Sequence, residues 1–166
     1  MLYVKKANFE DIEKEYLFIR DIPADENGFM NEWNGIARER FDEVLDIMIA
    51  NARGEKLPEG FVPATSLFLW KEDEIIGLFR IRHNLSEALR IGAGHIGYFI
   101  AKPFRGMGYG TEGLRLTLPI AKELIPEDEI YMRANKNNPA SLHVMLNNGG
   151  YIHHEDDGKV YVRIRK

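Results

Sequence analysis

The chain opens with the two-residue period of a strand, Leu2 and Val4 alternating with Tyr3 and Lys5, and runs into Asn8, read as a helix N-cap. Phe9, Ile12, Tyr16 and Ile19 then recur at helical spacing, before Asp21 to Gly28 dissolves into loop chemistry. Phe41, Val44, Leu45, Met48 and Ile49 form an i, i+3, i+4, i+7, i+8 stripe, a helix that Gly54 ends. Gly54, Pro58, Gly60 and Pro63 mark residues 54–65 as a connecting loop. Apolar runs at 67–70 and 75–81 around the polar 71–74 predict an antiparallel hairpin, and a third strand is expected at 94–101. Residues 83–91 read as a short helix or an ordered loop.

Leu114, Leu118, Ala121 and Ile125 predict a helix over 109–125, which Pro119 should kink or shorten. Residues 130–134 read as a strand. Asn138-Pro139 starts a helix with a cap and a proline at its first position, and Asn148-Gly149 stops it. Tyr151-Ile152 and the alternating Val160, Val162 and Ile164 flank Asp157-Gly158, a type I′ turn signal. Local hairpins require antiparallel pairs and strand–helix–strand passages give parallel crossovers, so the class is α/β with a mixed sheet.

Composition narrows the chemistry. The 166 residues, 45% hydrophobic and 29% charged, suit one domain spanning 1–166. With Cys 0, disulfides, cysteine zinc sites and a cysteine nucleophile are excluded together. A net charge of -4 gives no basic field for nucleic acid or an anionic membrane. The first residues mix charges with apolar positions, unlike a signal peptide, and no stretch approaches the ~20 apolar residues of a membrane span. A cytoplasmic protein is expected, with a homodimer allowed.

The most informative stretch is Ile100-Ala101-Lys102-Pro103-Phe104-Arg105-Gly106-Met107-Gly108-Tyr109-Gly110-Thr111-Glu112-Gly113, between a strand and a helix. Alternating glycines let consecutive N–H groups point into one concavity at a positive helix end, the geometry of a phosphate cradle. The same glycines would also serve a tight turn without a ligand. Gly108-x-Gly110-x-x-Gly113 with Asp128 fits the dinucleotide fingerprint, but that fold needs several further strand–helix units, and here the chain ends in a hairpin. No Gly-Lys-Ser/Thr follows, so a Walker A loop is absent.

Arg105-x-x-Gly108-x-Gly110, together with Asn138-Pro139-Ala140-Ser141 and the later Gly149-Gly150-Tyr151, resembles the GNAT family of acyl-CoA-dependent N-acetyltransferases. His83 and Gly94-His95-Ile96-Gly97-Tyr98 look like an uncharacterised bacterial branch of it. The resemblance implies a mostly antiparallel twisted sheet of about seven strands flanked by about four helices. It implies acetyl-CoA as co-substrate, with no metal and with the pyrophosphate on the amides of residues 105 to 111. It further implies a splayed strand whose Ile100 backbone pairs with pantetheine, and Asn138 and Ser141 bordering that arm.

The activity implied is acetyl transfer to a primary amine of a small molecule or peptide. Such an amine, with pKa ~10.4, must lose a proton before attack. The expected bases are His95, His83, Glu87 and, through a water, Glu112. Where many relatives carry a late-helix Tyr as acid, this chain has Met145, leaving Tyr98 as the substitute. Asp25, Glu26, Glu32 and Trp33 are expected to surround a cationic acceptor, and Lys102, Arg105 and Arg115 to form a basic mouth for CoA. His153-His154-Glu155-Asp156-Asp157 has the composition of a metal cluster, but alternation should turn its neighbours to opposite faces. The competing function is a non-catalytic acyl-CoA-binding or sensing module.

Overall fold

In the computed structural model, which describes residues 1–166, the chain begins with β1 (Leu2–Lys6), α1 (Ile12–Asp21), β2 (Asp25–Glu26), β3 (Phe29–Met30) and α2 (Arg38–Ala52). The hairpin of β4 (Ala64–Lys71) and β5 (Glu74–Arg82) follows, then α3 (Glu87–Ile91) and β6 (Ile96–Ile100). A single 3-10 turn leads into α4 (Tyr109–Leu124), β7 (Glu129–Asn135) and α5 (Pro139–Leu146), and the hairpin of β8 (Gly150–Glu155) and β9 (Lys159–Arg165) closes the chain.

The strands form two main sheets of order β1-β4-β5-β6 and β7-β9-β8, every pair within them antiparallel. Alternation sends their side chains into two cores. On one face Phe79, Ile81, Ile100, Met132 and Val162 pack with Leu114 and Leu118 of α4 and Met145 of α5. On the other, Phe68, Leu78 and Phe99 pack with Tyr16 and Ile19 of α1 and Phe41 and Leu45 of α2. No helix is long and apolar enough to cross a membrane.

Several local expectations are corrected. Helix α1 is capped at Asp11, not Asn8; the Asn8 carboxamide oxygen accepts the Asp11 N–H at 2.9 Å and folds the turn that enters the helix. Pro119 leaves α4 unbroken; it and Arg115, whose carbonyl loses its partner, are both on the exposed face, where the lost bond costs least. Neither Asp157 nor Gly158 has positive φ, so the last turn is not type I′; Asp156 Oδ1 closes it by accepting the N–H groups of Gly158 at 3.0 Å and Lys159 at 2.7 Å. A register shift between Ile152 and His154 lets the His153 and His154 rings meet instead of facing apart. The β2–β3 hairpin stands where only loop was expected, its two-residue strands too short to carry a period. Glu15 is fully buried and accepts the Asn8 N–H, and burial pushes its carboxyl up to about 8.

Candidate active site

Strands β6 and β7, joined by the α4 crossover, touch at one end only. There the His95 N–H donates to the Tyr131 carbonyl at 2.7 Å, and the Tyr131 N–H donates to His95 Nδ1 at 2.9 Å. An imidazole thus takes the place of a ladder carbonyl. Because Nδ1 accepts, the ring proton is on Nε2, which donates to Glu127 Oε2 at 3.0 Å. Glu127 also accepts the Leu85 N–H at 3.0 Å. His95 is fully buried, and burial holds its pKa below the usual histidine value despite the carboxylate. Gly94, at φ 72, lets β7 approach: a Cβ there would overlap the Tyr131 carbonyl.

Beyond this clasp the strands diverge. Ala101 N–H donates to Ile76 and Arg82 N–H donates to His95, so alternation turns the backbone groups of Tyr98 and Ile100 away from β5, toward the gap. The Lys136 N–H bonds to Gly158, which by the same rule turns Arg133 and Asn135 toward the gap from β7. At the open end stand two helix N-termini. Gly108 precedes α4 in the left-handed region at φ 82, and Asn138 caps α5 by accepting the Ser141 N–H at 3.3 Å. Aligned N–H groups there favour an anion.

The gap forms a cleft of about 540 Å³. Of the residues assigned to the cofactor, Ile100, Arg105, Gly106, Gly108, Tyr109, Gly110, Thr111, Asn138 and Ser141 line it, whereas Met107 points into solvent, 62% exposed. The Ile100 carbonyl already accepts Arg105 Nε at 2.8 Å, and Arg105 Nη1 reaches Glu26 at 2.7 Å, tying the β2–β3 hairpin to the glycine loop. Lys102 and Arg115 lie outside the lining, and Arg115 is paired with Glu112 instead of forming a basic mouth.

Of the expected acid–base groups, only Tyr98 lines the cleft. Its hydroxyl donates to Ser141 Oγ at 3.1 Å, its ring stacks on Phe79 with centroids 5.1 Å apart, and burial raises its pKa. His83 and Glu87 lie outside the lining; His83 Nε2 is 2.7 Å from Thr65 Oγ1. His95 is committed to the clasp on both ring nitrogens, which gives it a structural task in place of the expected proton transfer.

A family model described as acetyltransferase (GNAT) domain matches residues 13–150. The chain belongs to the GNAT family. No curated protein sequence matches it. Among solved structures, Mycobacterium smegmatis RimJ in complex with CoA-disulfide is similar at a TM-score of 0.70 and 19% identity, over 99% of this chain and 81% of that one. Vibrio cholerae spermidine N-acetyltransferase with CoA and spermine gives 0.64 and 14%, over 99% and 95%. Campylobacter jejuni N-acetyltransferase PseH with acetyl coenzyme A gives 0.59 and 14%, over 100% and 99%.

In this GNAT chain several cleft residues escaped the sequence reading. Arg80, Arg82, Arg133, Lys159 and His143 all line the cleft, while Asp25, Glu32 and Trp33 do not. Period two on β5 places Arg80 and Arg82 on one face, a legible signal, but nothing local announces that Arg133 joins them across the gap.

Proposed function

We propose that this protein is an N-acetyltransferase that moves the acetyl group of acetyl-CoA to a primary amine of a small molecule or peptide. The observation that carries this reading is the seam between β6 and β7, where backbone groups lack a partner strand, which ends at a glycine loop and two helix N-termini. An amide-rich arm such as pantetheine would pair with Tyr98 and Ile100 as an added strand does, displacing the Arg105 guanidinium from the Ile100 carbonyl. The pyrophosphate would rest on the amides of the loop at the head of α4, with Asn138 and Ser141 beside the arm. That the related PseH is described with acetyl coenzyme A supports the same co-substrate here.

With no cysteine, no acyl-enzyme of that kind forms, and the route is direct attack in a ternary complex. The amine nitrogen forms a bond to the acetyl carbon, the carbon–sulfur bond breaks, and CoA leaves as thiolate. Tyr98 keeps its proton at neutral pH and donates it to that sulfur, and the proton that the attacking nitrogen sheds as the amide forms restores the Tyr98 hydroxyl through solvent. The arginines on the cleft wall disfavour a second positive charge nearby, which lowers the ammonium pKa of the acceptor and favours the attacking neutral form.

Calorimetry with acetyl-CoA, CoA and NAD tests the cofactor. Binding of acetyl-CoA is expected, and a Gly108→Val variant, strained at positive φ, should bind it about tenfold or more weakly. NAD binding without CoA binding would refute the assignment. The absence of His83, His95 and Glu87 from the cleft favours one second reading, a non-catalytic acyl-CoA-binding module. Thiol release against a broad amine panel separates the two.

A further inference from the structure

The cleft of a protein with net charge -4 is lined by Arg80, Arg82, Arg105, Arg133 and Lys159 against one carboxylate, Glu26, which Arg105 already holds. The glycine loop accounts for Arg105. The other cations lie away from it: Arg80 and Arg82 share a face of β5 with Leu78, the face covered by α1 and α2, and Arg133 shares the corresponding face of β7, opposite Met132 and Ala134.

These side chains are poorly compensated. Arg80 makes no ion pair; its guanidinium sits 5.2 Å from the Phe29 ring of the hairpin, and burial together with Arg82 pushes its pKa down to about 10, against a weaker pull from Glu32. Arg82 has one partner, the Gly94 carbonyl at 3.2 Å, and is likewise pushed down by burial and by Arg133. Arg133 adjoins the Tyr161 hydroxyl, which donates to Asp156 at 2.8 Å, and forms no ion pair of its own. Positive groups crowded out of water without counter-charges are costly unless an anion joins them.

We propose that the acceptor carries an anionic group, carboxylate or phosphate, besides its amine, and that Arg80, Arg82 and Arg133 hold it on the side of the seam opposite the glycine loop. This replaces the cationic acceptor expected from the acidic loop, and it rests on the acetyltransferase reading. Guanidinium forks match both oxyanions, and the excess of positive charge survives the binding of one, so the amine remains biased toward its neutral form.

The test uses the full chain saturated with CoA, so that the glycine loop is occupied. Inorganic phosphate and acetate are titrated separately by calorimetry into the parent and into an Arg80→Gln/Arg133→Gln variant. Saturable binding of at least one anion is expected, weakened about tenfold or more in the variant, as loss of charge-assisted hydrogen bonds predicts. Which of the two binds more tightly separates phosphate from carboxylate. Thiol-release assays then compare glucosamine 6-phosphate with glucosamine, and phenylalanine with phenylalaninamide, the charged member of at least one pair being favoured by about tenfold in kcat/KM. Removing two crowded charges should not lower the melting temperature, which guards against misfolding of the variant. No saturable anion binding, binding unaltered in the variant, or spermidine acetylated in preference to every anionic amine would overturn the proposal. Acetyl-CoA binding by the parent, measured first, distinguishes the two levels: its absence removes the acetyltransferase reading itself, while its presence without anion binding sinks only the acceptor assignment.

Discussion

Replacing His95 with alanine removes the imidazole's share of the clasp that holds β6 to β7 and leaves the His95 N–H on the Tyr131 carbonyl, and the structure gives the size of the effect. The Tyr131 N–H and the Glu127 carboxylate each lose a partner beside a fully buried ring. One orphaned buried donor costs roughly 1–3 kcal/mol and the lost packing a similar amount, so a total of about 4 kcal/mol is expected. For a chain of this length, about 2–4 °C per kcal/mol, the melting temperature should fall by about 10 °C. His95→Asn offers an oxygen near the position of Nδ1 and should recover part of the loss by accepting from Tyr131. The pH dependence has a definite sign. With the folded pKa held below the unfolded value of ~6.5, the neutral ring contributes stability above that pH and loses it as pH falls. His95→Ala should flatten this acid slope in denaturant titrations run from pH 7.5 to 5. Assays below the melting temperature should retain turnover. A variant with unchanged melting temperature and turnover reduced ~100-fold or more, the scale of a lost general base, would refute the structural assignment.

Gly94→Ala should destabilise the fold by several kcal/mol, about as much as His95→Ala, because the new methyl meets the Tyr131 carbonyl; an unchanged denaturation midpoint would contradict the tight joint. Glu15→Gln should stabilise the protein at pH 8 and do little at pH 4.5. The raised pKa of about 8 means that stability from this group is complete below the unfolded value and fades as pH rises through 8. Tyr98→Phe should leave the melting temperature nearly unchanged and lower kcat about tenfold, a modest factor because a thiol of pKa ~8.5 needs little acid; unaltered kcat across the pH profile would remove Tyr98 from the proton path.

What could be read from the sequence was what is local. The glycine loop, the Asn138-Pro139 helix start and the β4–β5 hairpin each announce themselves through contiguous residues, and they stand where expected. The features that escaped are juxtapositions. Nothing near His95 reveals that its ring would meet the backbone of Tyr131 or that Glu127 would meet its far nitrogen, so its chemistry pointed to proton transfer. Arg133 is separated by the whole of α4 from Arg80 and Arg82, and the charge of the cleft emerges only when β6 and β7 stand side by side. The acidic loop shows the same dependence on distant contacts. Glu26 looked available to a cation until the fold brought Arg105 against it.

The unpaired lips of β6 and β7 also bear on the life of the molecule between reaction cycles. A row of backbone groups with no partner strand is an invitation to any extended segment, including one from a neighbouring copy, and most proteins hide such rows or blunt them; here Arg105 already holds one carbonyl of it, that of Ile100. The β2–β3 hairpin stands beside the row, its Phe29 leaning on Phe99 with ring centroids 5.9 Å apart and lining the same cleft. A ligand that fills the seam protects it, adding stability by mass action as its concentration rises above its dissociation constant. The abundance of the folded protein would then track the supply of that ligand, and starvation would be felt as proteolysis and aggregation as well as idle catalysis.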